Sequence, residues 1–335
     1  MKKFFCALLG ALTLAVSAFG LTACGGDSES ISVYMPDGAT ALSMAAQMTE
    51  NKDFGKDVKY HVVDASAIPS AIGGESPLAD ICVLPLNTAS SVIGDGAKYQ
   101  MLGTVTHGNL YLLKKSGNED ITIQNLSSLV GKTVGVVQLA AVPGLTFQLI
   151  LKDNGVPYAI GEGASDKVNL KALADATAVS PSLDCDYFVV PEPAATTKVN
   201  KTPLEFAGDL QKLYGGGNGY PQAVLVVKRS LIESDPQFIE EFKTSMTENA
   251  NWLKSDGIEA YFNDITGAIN AHRPEGKTSS INSDNLNAQV IKNCAVRFVP
   301  SSECKEEVNS FLDKLIAVNP SSAKVVSESF FYIND

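Results

Sequence analysis

The segment Asp186-Tyr187-Phe188-Val189-Val190-Pro191-Glu192-Pro193-Ala194-Ala195-Thr196-Thr197 constrains the fold more than any other stretch. Tyr187 to Val190 is a continuous apolar run, which predicts a strand covered on both faces. Pro191 and Pro193 cannot continue a ladder, so the strand stops there and the small residues beyond open a helix. Glu192 is held between the prolines at the carboxyl end of the strand, the edge where open α/β sheets bind ligands. A carboxylate in that place is either a solvated loop acid or a ligand-facing acceptor, and the segment leaves both open.

The same plan occurs about one hundred residues earlier, in Asp80-Ile81-Cys82-Val83-Leu84-Pro85-Leu86-Asn87-Thr88-Ala89. An Asp starts the apolar run, a Pro follows five residues on, and Asn87 or Thr88 is placed to cap a helix. Two copies of one strand-to-helix unit predict two similar α/β lobes. The chain's 335 residues exceed one comfortable core, which agrees with two.

Lys2 and Lys3 precede an apolar run from Phe4 to about Phe19, which reads as a secretory signal. Leu21-Thr22-Ala23-Cys24 resembles the bacterial lipobox, so residues 1–23 are expected to be removed and Cys24 to carry acyl chains. Several chains on one Cys anchor firmly where one binds marginally. Residues 24–30 would be a flexible tether. Loss of the two leader lysines takes the formal charge from −11 to −13, so a nucleic-acid partner is excluded. No later apolar stretch is long enough to span a bilayer.

Cys82 and Cys185 lie in or beside apolar strands and are expected to be buried thiols. Cys294 and Cys304 flank Val296-Arg297-Phe298-Val299-Pro300, and in an exported protein a disulfide closing that short loop is expected. The cysteine spacing matches no zinc motif.

Strands are predicted at Ile31–Met35, Val58–Val63, Ile81–Leu84, Met101–Thr106, Leu110–Leu113, Thr133–Val137 and Ala223–Val227. Helices are predicted from Thr40 to Met48, capped by Asp37, from Pro143 to Gly155, and from Val168 to Ala174. A longer one, opened by Ser230 or Asp235, runs to Leu253, and a largely helical tail follows. Leu213 to Pro221 reads as a mobile loop. This strand–helix alternation is an α/β pattern.

The loops after the strands supply the candidate ligand-binding residues. These are Pro36, Asp37, Gly38 and Ala39 after the first strand, and Asn87 and Thr88 after the third. His107 and Asn109 stand where the chain crosses over, Val142, Pro143 and Gly144 open a helix, and Glu192 and Tyr220 complete the set. His107 either touches ligand or is a hydrogen-bonded hinge residue. Arg occurs only at 229, 273 and 297, outside these loops. Arg is the usual bidentate partner of anions, so the balance favours a neutral or weakly basic ligand with N–H donors. Glu192 and Asp37 have no Arg nearby in sequence. A closed cleft would then demand donors from the ligand, while Glu192 in an open cleft would be solvated and add nothing to stability.

Other motifs fail. Gly131-Lys132-Thr133 and Gly276-Lys277-Thr278 lack the earlier glycine of a phosphate loop, with Leu126 and Ala271 in its place. Gly215, Gly217 and Gly219 precede a strand, which excludes a dinucleotide fingerprint. There is no G-x-S-x-G elbow, and His61, His107 and His272 are scattered.

The exported chain resembles the type II substrate-binding proteins of ABC importers. It is most similar to the branch that binds nitrate, sulfonates, taurine and the aminopyrimidine precursor of thiamine. The resemblance rests on residues 34–42, 79–89, 108–111 and 129–135, on Pro191-Glu-Pro-Ala-Ala-Thr196, and on Tyr220-Pro-Gln-Ala-Val-Leu225. It implies an α/β fold of two Rossmann-like lobes with a ligand cleft between them. Lobe one would be residues 31–107 plus 221–335, and lobe two residues 108–220. It further implies an extracytoplasmic, lipid-anchored monomer that hands a small molecule, best an aminopyrimidine-like heterocycle, to a permease and ATPase, with no cofactor and no metal. A small anion is the alternative ligand. Enzymes on the same fold include pyrimidine and menaquinone-pathway synthases, but the cysteine-rich motif of the former is missing here.

Overall fold

The structure is a computed structural model that describes residues 30–215 and 218–333. The leader, Cys24 and most of the tether lie outside the described residues, as do two glycines of the loop before Tyr220.

Among the described residues twelve strands form two six-stranded sheets. Sheet one contains β1 (Ile31–Pro36), β2 (Val58–Val63), β3 (Ile81–Pro85), β4 (Tyr99–Thr106), β11 (Ala223–Lys228) and β12 (Val296–Pro300), in the order β12-β4-β11-β3-β1-β2. Sheet two contains β5 (Leu110–Lys115), β6 (Thr133–Val137), β7 (Tyr158–Ile160), β8 (Val168–Leu173), β9 (Tyr187–Pro191) and β10 (Leu204–Asp209), in the order β10-β5-β9-β6-β8-β7. The chain passes between sheets twice, between Thr106 and Leu110 and between Asp209 and Ala223.

The repeated Asp has a structural cause. β1 runs parallel to β3, and β6 parallel to β9. At the start of each pair an Asp carboxylate accepts the first free amide of the neighbour. Asp80 takes the Ser32 N–H at 2.9 Å, and Asp186 takes the Thr133 N–H at 2.9 Å. In return each Asp amide donates to the carbonyl of the same partner, at 2.8 Å in both cases. The two sheets thus share one register device as well as one strand pattern.

Val168–Leu173, expected as a helix, is β8. Val168, Leu170 and Leu173 are buried and it pairs in parallel with β6 and β7. The helix formers Leu, Lys and Ala yield to a place inside the sheet, where alternate residues are covered. The first predicted helix is broken into Ala39–Leu42 and Ala45–Glu50, with the Ser43 hydroxyl donating to the Thr40 carbonyl at 2.7 Å in the gap. Asp235 caps the helix Pro236–Trp252, as expected, by accepting the Phe238 amide at 3.1 Å.

The helix Ser301–Val318 connects the sheets. It packs on β4 and β12 and also against the helix Val142–Asp153 of sheet two. Val308, Phe311, Leu312 and Leu315 join an apolar cluster that includes Met101 and Val224 of sheet one and Leu112 and Val134 of sheet two. No helix among the described residues is long and apolar enough to cross a membrane.

The expected disulfide is absent, for Cys294 and Cys304 are free, buried thiols. Cys294 belongs to the cluster around Phe238, Phe242 and Met246, and Cys304 to the cluster around Phe311. β12 runs between the two, so the side chains enter different cores. Cys304 Sγ donates instead to the Val299 carbonyl at 3.4 Å. Burial pushes the Cys304 thiol up to about 11, and burial together with the nearby Glu192 charge holds the Cys294 thiol well above its ordinary value.

Candidate functional site

The strand ends bring most of the expected residues between the two sheets, and they are closed in by protein. Glu192 is 2 % exposed. One carboxylate oxygen accepts the Thr196 amide at 3.0 Å; the other accepts the Thr196 hydroxyl at 2.8 Å and Asn293 Nδ2 at 2.9 Å. Thr196 lies in the first turn of the helix Ala194–Lys201, where an anion also meets the positive end of the dipole. Asn293 comes from the helix Ala288–Asn293, a hundred residues away. The expected partnerless carboxylate is therefore fully engaged, and the argument that the ligand must supply its donors is overturned.

Asp37 is corrected in the same way. Its carboxylate caps no helix and accepts the Ser279 hydroxyl and the Ser280 amide from the tail. Gly38 has φ +100°, and a Cβ there would stand 3.6 Å from Ser280 Oγ and 3.9 Å from Pro193 Cδ, so the two sheets' loops meet at this point. Asn285 Nδ2 donates to Thr197 Oγ1 at 2.9 Å and adds a further link. Pro36 and Ala39 are buried beside them.

Asn109 lies at the centre of an amide relay. Its backbone carbonyl accepts the Glu192 amide at 2.8 Å, and its Nδ2 donates to the Glu192 carbonyl at 3.1 Å. Gln222 Nε2 donates to Asn109 Oδ1 at 2.8 Å. The Glu192 carbonyl can only accept, so both amides have a fixed orientation. Gln222 Oε1 then remains a buried acceptor without a donor among the described residues. Asn87, inside the helix Leu86–Ile93 and not its cap, gives Nδ2 to the Ser322 carbonyl at 3.1 Å and leaves Oδ1 equally unmet. The Leu86 amide donates to the Gln222 carbonyl at 3.0 Å, which joins the backbones of the two segments that carry these acceptors. Thr88 is half-buried on the same turn.

Tyr220 is a core residue. It has no exposed surface, stacks on Phe311 at 5.4 Å, and belongs to the core shared by the sheets. Val142, Pro143 and Gly144 are buried in the first turn of their helix.

The open space lies to one side. A groove of about 1390 Å³ runs between sheet-two residues, including Tyr111, Ile121 and Phe206, and sheet-one residues, including Lys254, Ile258, Asn293 and Arg297. Of the residues chosen from sequence only His107 lines it. Arg297, set aside because it lies far from the strand-end loops, is in the groove because β12 pairs with β4 next to the first crossing. No local pattern marks Arg297, Lys254 or Asn293; the tail's return to sheet one brings them there.

His107 is 2 % exposed, with Nε2 at 2.9 Å from Thr104 Oγ1 and its amide donating to the Ala295 carbonyl at 3.1 Å. Burial, then the charges of Arg297 and Lys254, lower its pKa to about 3. Its unfolded value is near 6.5, so the stability tied to the neutral ring is complete above pH 6.5 and is lost as pH falls toward 3. His107→Gln should therefore lose less stability than the wild type between pH 7 and 4, by on the order of 3 kcal/mol. Denaturant titrations at the two pH values measure this, and equal losses would remove His107 as the source. His61 and His272, also depressed first by burial, give the remaining loss the same sign.

No family model and no curated protein matches the chain. Solved structures do. An ABC transporter structure from Parabacteroides distasonis is 19 % identical with a TM-score of 0.70, covering 91 % of this chain and 99 % of that one. The periplasmic aliphatic sulphonate binding protein of Escherichia coli is 13 % identical with a TM-score of 0.62, covering 92 % and 94 %. The ligand-binding component of an ABC-type import system from Staphylococcus aureus, solved with zinc bound, is 9 % identical with a TM-score of 0.60, covering 90 % and 96 %. At these identities the likeness concerns architecture, and the chain has the periplasmic binding protein fold.

Proposed function

We propose that this chain is the extracytoplasmic solute-binding component of an ABC importer. It would be held at the membrane by acylated Cys24, with residues 24–30 as tether, and would present its solute to a permease and ATPase. The observation that carries this reading is the two-sheet body with two chain crossings and a polar relay, Gln222–Asn109–Glu192–Asn293, stretched across the junction. Residues 31–107 with 221–335 and residues 108–220 would be the two lobes that open and close around the solute. We assign the chain no catalytic role.

The ligand class we favour is a neutral or weakly basic, aminopyrimidine-like heterocycle. Its support is the pair of buried acceptors, Asn87 Oδ1 and Gln222 Oε1, which lack donors. An unmet buried acceptor is costly, and a ligand N–H relieves that cost. A thermal-shift screen of the mature domain without acyl chains tests the reading, with aminopyrimidines, other amino-substituted heterocycles, sulfonates, nitrate and amino acids in the panel. A true ligand at about one hundred times its Kd adds about 2.7 kcal/mol. A response to sulfonate or nitrate alone would keep the role and replace the ligand class; no response to any solute would count against the role itself.

A further inference from the structure

We propose that the groove beside the first crossing is a second binding site, selective for a small organic anion whose charged head meets Lys254 and Arg297 and whose apolar body lies along Tyr111 and Phe206. This site is separate from the Asn87 and Gln222 acceptors, neither of which lines the groove.

The first reason is unpaired positive charge. Among the described residues no carboxylate pairs with Lys254 or Arg297. Among the described residues Arg297 makes one hydrogen bond, from Nη2 to the Asn218 carbonyl at 3.3 Å, and its Nε is buried without a partner there. Beside them His107 Nδ1 is also buried and unpartnered. Three nitrogen groups thus converge on one wall. The Lys254 ammonium is held below its ordinary value by burial and then by Arg297, so the cation that reaches it is not offset by an acid. Two like charges kept together in part-buried surroundings are unfavourable, and an anion between them reverses the sign of the interaction.

The groove's own acids do not fill that role. Asp209 accepts the Gln211 and Lys212 amides at the start of the next helix, and Asp120 pairs with Lys114 at 2.7 Å. Asp256 and Glu259 are exposed lining residues. Together with a chain charge of −11 they disfavour a polyanion and leave room for a small one.

The second reason is the opposite wall. Phe206 is 39 % exposed on the edge strand β10, with its ring set edge-on to Tyr111 at 5.6 Å. Ile121 and Ile258 continue the apolar lining. An exposed aromatic in the lining of a groove that also holds a cation pair suits a ligand with one charged end and one apolar end.

Trp252 gives the readout. It is the chain's only tryptophan, it packs on Tyr261 at 5.4 Å, and it precedes the groove-lining Leu253 and Lys254. Phenyl phosphate titrated into the mature protein at low ionic strength should change Trp252 emission saturably, and added salt should weaken the response. Lys254→Gln and Arg297→Gln should each weaken binding about tenfold or more, the range for losing a charge-assisted hydrogen bond. The Lys254 ammonium is only partly covered and has no hydrogen-bond or ion-pair partner among the described residues, so that variant should melt close to the wild type. The proposal is overturned by a flat titration at millimolar probe, or by wild-type affinity in Lys254→Gln. Benzyl alcohol binding as tightly as phenyl phosphate would overturn the charge selection. Inorganic phosphate binding as tightly would overturn the apolar half.

Discussion

Gly219→Ala is expected to lower stability by about 2–5 kcal/mol, the combined cost of a side chain in the left-handed region and of overpacking. Gly219 has φ +72°, and a Cβ built on it would stand 1.9 Å from the His107 carbonyl oxygen. That contact is backbone, so no side chain can swing aside. The two chain crossings pass each other at this point, and their closest approach depends on a missing methyl group. Gly117→Ala is the control, for it also has positive φ (+88°) but nothing within 4 Å of the added carbon. It should lose only the conformational share, about 1 kcal/mol. Denaturant unfolding of both variants decides the matter, and equal losses would mean that the crossings separate freely.

The second large effect is expected at Glu192. Glu192→Gln places an NH₂ group where one oxygen now accepts a donor, and no rotation of the amide avoids the conflict. The loss should be about 1.5–3 kcal/mol of stability without any ligand, with a melting temperature lower by several degrees. The reading from sequence pointed the other way, to a carboxylate solvated in an open cleft whose loss leaves melting unchanged. Calorimetric scans of the unliganded proteins separate the two. A double-mutant cycle with Asn293→Ala then isolates the share that links the sheets. An unchanged melting temperature in Glu192→Gln would refute the closed arrangement around this residue.

The contrast shows where a sequence carries information and where it does not. The paired Asp-to-Pro segments were legible because strand, stop and helix start are local, and the two sheets repeat them down to the amide that each Asp accepts. Asp235 was legible because a cap and Pro236 are adjacent. Val168–Leu173 was misread because Leu, Lys and Ala favour helix locally, while β6 and β7 offer pairing on both sides. The partners of Glu192 and Asp37 were invisible, since Asn293, Ser279 and Ser280 arrive from a tail more than eighty residues beyond Glu192. Arg297 was dismissed for the same reason, because distance along the chain is no measure of distance in space. The free Cys294 and Cys304 follow this rule in reverse: neighbours in sequence, they are parted by the strand between them.

The helix Ser301–Val318 has a consequence for temperature. Any movement that parts it from the helix Val142–Asp153 exposes apolar surface of the shared cluster to water. Such exposure carries a positive heat capacity, and the attraction that resists it fades on cooling. A body joined in this way is held shut by oil as well as by hydrogen bonds. Cold should therefore loosen this junction before the chain unfolds.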